Sequence, residues 1–184
     1  MEREAYIIAE LPILKNWTIF GQETYGLVLL SWFSQNAILL DNNGMREQNQ
    51  GTLTTENSYG FHYFRNWEYL LDSLQNQEGC TYYTGGNLRF HRTQESLRNY
   101  VNNNHLSDVN WNLWNQINSH RIIVRINPFN YIDEVYITQH HNYETNLSSY
   151  NPSCTYRIGI QLIREISNMC PLDLLSRHRN YYSE

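Results

Sequence analysis

A chain of 184 residues, 41% hydrophobic, 17% charged and 14% aromatic, is long enough for one domain that buries roughly 70% of its unfolded surface. Its longest apolar run, Gly26 to Leu40, is broken by Ser31, Ser34, Gln35 and Asn36, short of the ~18 apolar residues of a membrane span, which excludes a spanning helix. The net charge of −5 argues against a generic polyanion binder, because sequence-blind nucleic-acid proteins carry a basic surplus.

The start Met1-Glu2-Arg3-Glu4 lacks the basic cluster and apolar run of a secretory leader. Cys80, Cys154 and Cys170 are odd in number and form no CxxC pair, so a reducing, intracellular compartment is expected, with no cofactor or metal. Lys15 is the only lysine among 13 basic residues. Arginine forks phosphate bidentately and stacks on bases, whereas lysine is a point charge.

In chain order, Ala5 to Leu14 reads as a strand or a short helix broken at Pro12. Leu27 to Leu40 reads as a buried helix or two strands, since a continuous apolar run hides its period. Asp41-Asn42-Asn43-Gly44 is a turn signal, and the polar stretch Gln48 to Gly60 marks a boundary. Residues 1–60 are therefore an N-terminal extension and 61–184 the main domain. Trp67, Leu70, Leu71 and Leu74 follow a helical period that ends before Gly79. Tyr82 to Thr84 and Asn87 to His91 form two strand pieces around Gly85-Gly86. Thr93 caps a short helix that buries Leu97, Tyr100 and Val101, and a second one buries Val109, Leu113 and Ile117. Arg121 to Ile126 alternates, with Arg121 and Arg125 on one face and Ile122, Val124 and Ile126 on the other. Asn127-Pro128-Phe129-Asn130 turns the chain into Glu134 to Gln139, with Val135 and Ile137 inward and Tyr136 and Thr138 outward. Ile158, Leu162, Ile163, Ile166 and Met169 form a helical stripe ended by Pro171. The fold class is α+β: a mostly antiparallel sheet with helices packed on one face and the polar, arginine-bearing face open.

Such a face suits double-stranded RNA, whose A-form duplex is recognised through phosphates and 2′-hydroxyls by arginine forks and side-chain hydroxyls. Here a resemblance enters. Leu88-Arg89-Phe90-His91-Arg92-Thr93-Gln94-Glu95-Ser96-Leu97 resembles the strand-to-helix segment of the tombusvirus RNA-silencing suppressors, which carry Leu-Arg-Tyr-x-Arg-Thr-x-x-Ser-Leu there. Ser107 to Asn110 is similar to the start of that family's next helix, Val124-Arg125-Ile126 to its Ile-Arg-Phe strand, and Val135 to Thr138 to its Val-x-Ile-Ser strand. The resemblance covers about residues 64–175, and its sharpest motif is those ten residues.

It implies a viral, non-catalytic homodimer in the host cytoplasm that holds short interfering RNA across a continuous sheet and caps the duplex ends, selecting length without reading sequence. Host silencing proteins are further candidate partners. Carried over by position, Arg89, Arg92 and Arg125 would contact phosphates and Thr138 would offer a hydroxyl. Arg121 and Tyr136 share that face, and Phe64 and Trp67 take the places of the capping aromatics. The chain departs from the family in having no lysine after Lys15, and Glu134 shares the outward parity of Tyr136 and Thr138.

Enzyme readings are weaker. His91-x-Thr93 is taken as a lone half of the signature of two-histidine phosphoesterases, which need one histidine as base and another as acid. Adjacent His140 and His141 diverge on a strand and do not make a metal site. No phosphate-cradling glycine loop, nucleophile elbow or HExxH is present. The alternative is a viral structural or assembly protein, which would show higher-order association without a preference for RNA length.

Overall fold

The computed structural model describes residues 7–15, 18–19, 22–23, 26–36, 38–41, 44–47, 61–65, 79–88, 91–106, 119–129, 131–139, 141–142, 147–148 and 155–174. The expected helices at 67–74 and 109–117, and the boundary at 48–60, lie outside them. The strands are β1 (Ile7–Ile8), β2 (Thr18–Ile19), β3 (Gln22–Glu23), β4 (Ile38–Asp41), β5 (Gly44–Glu47), β6 (His62–Tyr63), β7 (Thr81–Gly85), β8 (His120–Ile126), β9 (Ile132–Gln139), β10 (His141–Asn142), β11 (Leu147–Ser148) and β12 (Thr155–Ile158). The helices are α1 (Leu11–Lys15), α2 (Gly26–Asn36), α3 (His91–Asn103), α4 (Ile160–Asn168) and α5 (Pro171–Leu174).

The main sheet runs in the order β1-β12-β9-β8-β7-β6. Its pairings are antiparallel except β1 on β12. The β4–β5 hairpin pairs Asp41 with Gly44 at the expected turn and joins the sheet where Met45 meets Ile132. The α+β class is thus the observed one. No helix among the described residues is long and apolar enough to cross a membrane.

Residues 120–139 form the expected hairpin because β-branched residues alternate with polar ones up to the Asn127-Pro128 turn. Asn127 holds that turn: its Oδ1 accepts hydrogen bonds from the amides of Phe129 and Tyr131, each at 3.0 Å. The register carries a bulge that alternation alone does not announce. Arg125 pairs with Glu134 but Ile126 pairs with Ile132, so Asp133 is the extra residue of β9. The bulge turns both Ile132 and Val135 into the core, and it brings Asp133 and Glu134 together beside Arg125.

One face of the sheet presents Tyr83, Ile122, Val124, Val135, Ile137, Tyr156 and Ile158 to the core, where Leu97 and Val101 of α3 and Ile163 and Ile166 of α4 meet them. At the centre of this layer lies α2, buried from Gly26 to Ser34. An eleven-residue segment whose apolar residues form no one-sided stripe is a buried helix rather than two strands. Its polar groups are matched to α3: Trp32 Nε1 donates to Ser96 Oγ (2.9 Å), and the Tyr100 hydroxyl donates to Ser31 Oγ (2.6 Å). In the described part of residues 1–60, β1 and β5 share the sheet and α2 lies in the core.

Four local expectations are corrected. Gly85 ends β7 under the Phe61 ring, where a Cβ would lie 2.6 Å from ring carbons, and Gly86 follows at φ +102°. No strand resumes over Asn87 and Leu88, and α3 already begins at His91. Thr93 is accordingly a buried residue inside α3 and not its cap. Pro12 does not break α1, because it stands in the first turn, where its missing amide costs nothing. The last apolar stripe begins in β12 with Ile158, and α4 follows it from Ile160.

Candidate nucleic-acid interface

The arginine-bearing face is on the expected side of the sheet, but it is not an open polar surface. Tyr82, Thr84, Arg121, Ile123, Tyr136, Thr138 and Thr155 on this side are all buried. The described helices pack on one face, as expected, and these residues of the other face are buried as well. A sheet whose two faces are buried tolerates arginine and threonine inside only when their polar atoms are matched.

The matching is visible atom by atom. Thr138 and Thr155, directly opposed on β9 and β12, share a buried hydroxyl–hydroxyl bond of 2.7 Å. Arg121 folds back so that its Nη1 donates to the carbonyl of His120 at 2.7 Å. Arg125 Nε lies 2.7 Å from Asp133 Oδ1 and 3.3 Å from Glu134 Oε2, and its Nη2 donates to Asp133 Oδ2 at 3.1 Å. Glu134 also accepts from the Tyr82 hydroxyl at 2.7 Å and lies 3.6 Å from Arg157 Nη2. Two arginines and two carboxylates thus make a balanced network at the turn end of the face.

The electrostatics follow from this geometry. Burial opposes the charge on Arg125, but the hydrogen bond to Asp133 and the charges of Glu134 and Asp133 outweigh it and hold the guanidinium ionised more firmly than usual. Burial, then the bond to Glu134, pushes the Tyr82 phenol above its ordinary range. Burial likewise pushes Tyr100 up to about 12.

Of the residues carried into the interface from the sequence, Arg121, Tyr136 and Thr138 are packed inside and Arg125 is engaged by carboxylates. Phe64 is buried as well, so it offers no face to a duplex end. Arg89 and Trp67 lie outside the described residues. Arg92 alone meets the expectation of an exposed cation, on the first turn of α3. Among the described residues, others that the sequence did not single out are also exposed: Arg65 just after β6, Arg98 on α3, and Tyr63, whose ring is stacked on Tyr83. Arg157, with 38% of its side chain exposed, is the more open arginine of the sheet network. A parity count along His62–Arg65 would have shown that Phe64 and Tyr63 cannot share a side.

The catalytic readings gain no geometry. His91 is exposed with Nε2 3.5 Å from Glu95 Oε2. A second His-x-Ser does stand at His105-Leu106-Ser107. However, His91 opens α3 and His105 stands two residues past its end at Asn103, about 20 Å away at the rise of a helix, too far to serve one phosphate. Among the described residues no three His, Cys, Asp or Glu side chains gather to hold a metal ion. Comparison with protein-family models, curated proteins and solved structures finds no match to this chain.

Proposed function

We propose that this chain binds and sequesters short double-stranded RNA without catalysis, by length rather than sequence, as a viral suppressor of RNA silencing. The observation that supports it is the placement of the Leu88–Leu97 segment. The chain leaves β7, turns at Leu88 and enters a helix that buries Thr93 and Leu97 while holding Arg92 in solvent. Arg98 is exposed on the same helix, and Arg65 at the edge beside β7. Exposed arginines on a rigid helix and sheet edge are suited to the phosphates of an A-form duplex, which is read by shape and charge.

In this reading the contact surface is the α3 side of the molecule, and the arginines of the sheet are struts beneath it. Among the described strands, a homodimer with a continuous sheet would join through β1, β4 or β6, since β9 is interior, flanked by β8 and β12.

Gel-shift titration with RNA duplexes of graded length, beside single-stranded RNA and duplex DNA at physiological salt, tests the proposal. Binding that peaks near the length of an interfering RNA supports it. Arg92→Glu should weaken that binding and lower the slope of log K against log salt by roughly one. Absence of duplex binding refutes it and leaves the assembly reading.

A further inference from the structure

At the β6 edge, Tyr63 is held in place yet keeps 54% of its surface in solvent. Its ring is stacked on that of Tyr83, centroid to centroid 5.1 Å with an interplanar angle of 24°. Tyr83, its directly opposed partner on β7, belongs to the core. Strand pairing continues past Tyr63, because the Phe64 amide donates to the Tyr82 carbonyl at 3.0 Å. Phe64 is buried toward the opposite face, so alternation returns Arg65 to the side of Tyr63, about 7 Å along the strand. Arg65 is exposed. Unlike Arg125, it takes part in no ion pair among the described residues.

We infer that Tyr63 and Arg65 form a site for an unpaired nucleotide at the end of an RNA duplex, the base stacked on the Tyr63 ring and its phosphate held by Arg65. This rests on the duplex-binding reading and adds a ligand feature to it. A stacking platform needs a flat ring of fixed orientation with one face open; the Tyr83 stack fixes the orientation and the exposed surface supplies the face. Within a duplex the base faces are hidden, so the ring can meet only a terminal or unpaired base. A single phenol spans one base rather than a base pair, which favours the unpaired nucleotide. The charge of Arg65, in no ion pair among the described residues and one side-chain row away, complements its phosphate.

The test compares a blunt RNA duplex with the same duplex carrying a 2-aminopurine nucleotide unpaired at each 3′ end, by titration and by the fluorescence of that base. Wild type should bind the extended duplex about tenfold more tightly, with the fluorescence quenched by stacking. Tyr63→Phe keeps the ring and should keep both effects. Tyr63→Leu should abolish the preference and the quench while still binding the blunt duplex. Arg65→Ala should reduce the preference and leave part of the quench. If Tyr63→Leu retains the full preference and quench, the stacking site is overturned while duplex binding stands. If wild type binds neither duplex, the stacking site falls together with the functional reading, and the exposed ring becomes a protein contact.

Discussion

Arg125 is the residue on which a ligand role and a structural role make opposite predictions. Its side chain is 17% exposed, and its carboxylate partners Asp133 and Glu134 are 30% and 11% exposed. Replacing it with Ala removes the cation 2.7 Å from Asp133 and 3.3 Å from Glu134, leaving Asp133 without its ion pair and Glu134 with Arg157 alone, 3.6 Å away. Breaking a fully buried pair costs about 3–5 kcal/mol, and the residual exposure of Asp133 lowers this to roughly 2–3 kcal/mol. For a chain of this length that is a fall in Tm of roughly 4–12 °C. Differential scanning calorimetry or circular dichroism of Arg125→Ala reads it directly. Replacing Asp133 by Asn in the same chain should recover part of the loss, since Glu134 keeps Arg157 as its partner. A variant whose Tm stays within about 1 °C of wild type while its affinity for duplex RNA drops would refute the strut assignment and return Arg125 to the phosphate-contacting set.

Thr138→Val should cost about 1–3 kcal/mol by removing the buried hydroxyl–hydroxyl bond to Thr155, whereas the double change to Val at 138 and 155 should lie closer to wild type in urea unfolding. Gly85→Ala should lower stability by roughly 1–3 kcal/mol, because its Cβ would fall 2.6 Å from the Phe61 ring, and Phe61→Ala should relieve that added cost in a double-mutant cycle. The Tyr100 phenol, pushed up to about 12 by burial, stays protonated in the folded state over a range where the unfolded chain has already lost the proton. Its contribution is therefore complete below about pH 10 and declines by roughly 1.4 kcal/mol per pH unit up to the folded value. Tyr100→Phe should flatten the alkaline limb of a stability–pH curve from chemical denaturation, and an unchanged limb would contradict the burial of that group.

How far the residues themselves disclosed the fold depended on period. The β8–β9 hairpin was legible because Ile122, Val124 and Ile126 alternate with Arg121 and Arg125, and a strict period of two has one structural meaning. The same logic failed at Ile132-Asp133-Glu134-Val135, where two inward residues stand three apart in one strand. That spacing is the mark of a bulge, and it decides which carboxylates reach Arg125. Within α2 no period exists to read, so its identity as a central helix came from length and from what surrounds it. The candidate site was the least legible part. Parity assigned Thr138, Tyr136 and Arg121 to the face opposite the core, and they are there, yet parity cannot tell a solvent face from a second buried one.

Local chemistry alone determined the α+β class, the hairpin and its turn and the absence of a spanning helix among the described residues, since each depends on neighbours a few residues away. Tertiary structure decided the rest. It drew β1, α2 and β5 from the first sixty residues into the sheet and core, buried both faces of the sheet, and neutralised Arg125 with Asp133 and Glu134. It also set Tyr63, rather than Phe64, at the surface. The physical reason is common to all of these: burial and ion pairing are properties of what packs against a residue, and that partner is fixed by contacts between segments far apart in the chain.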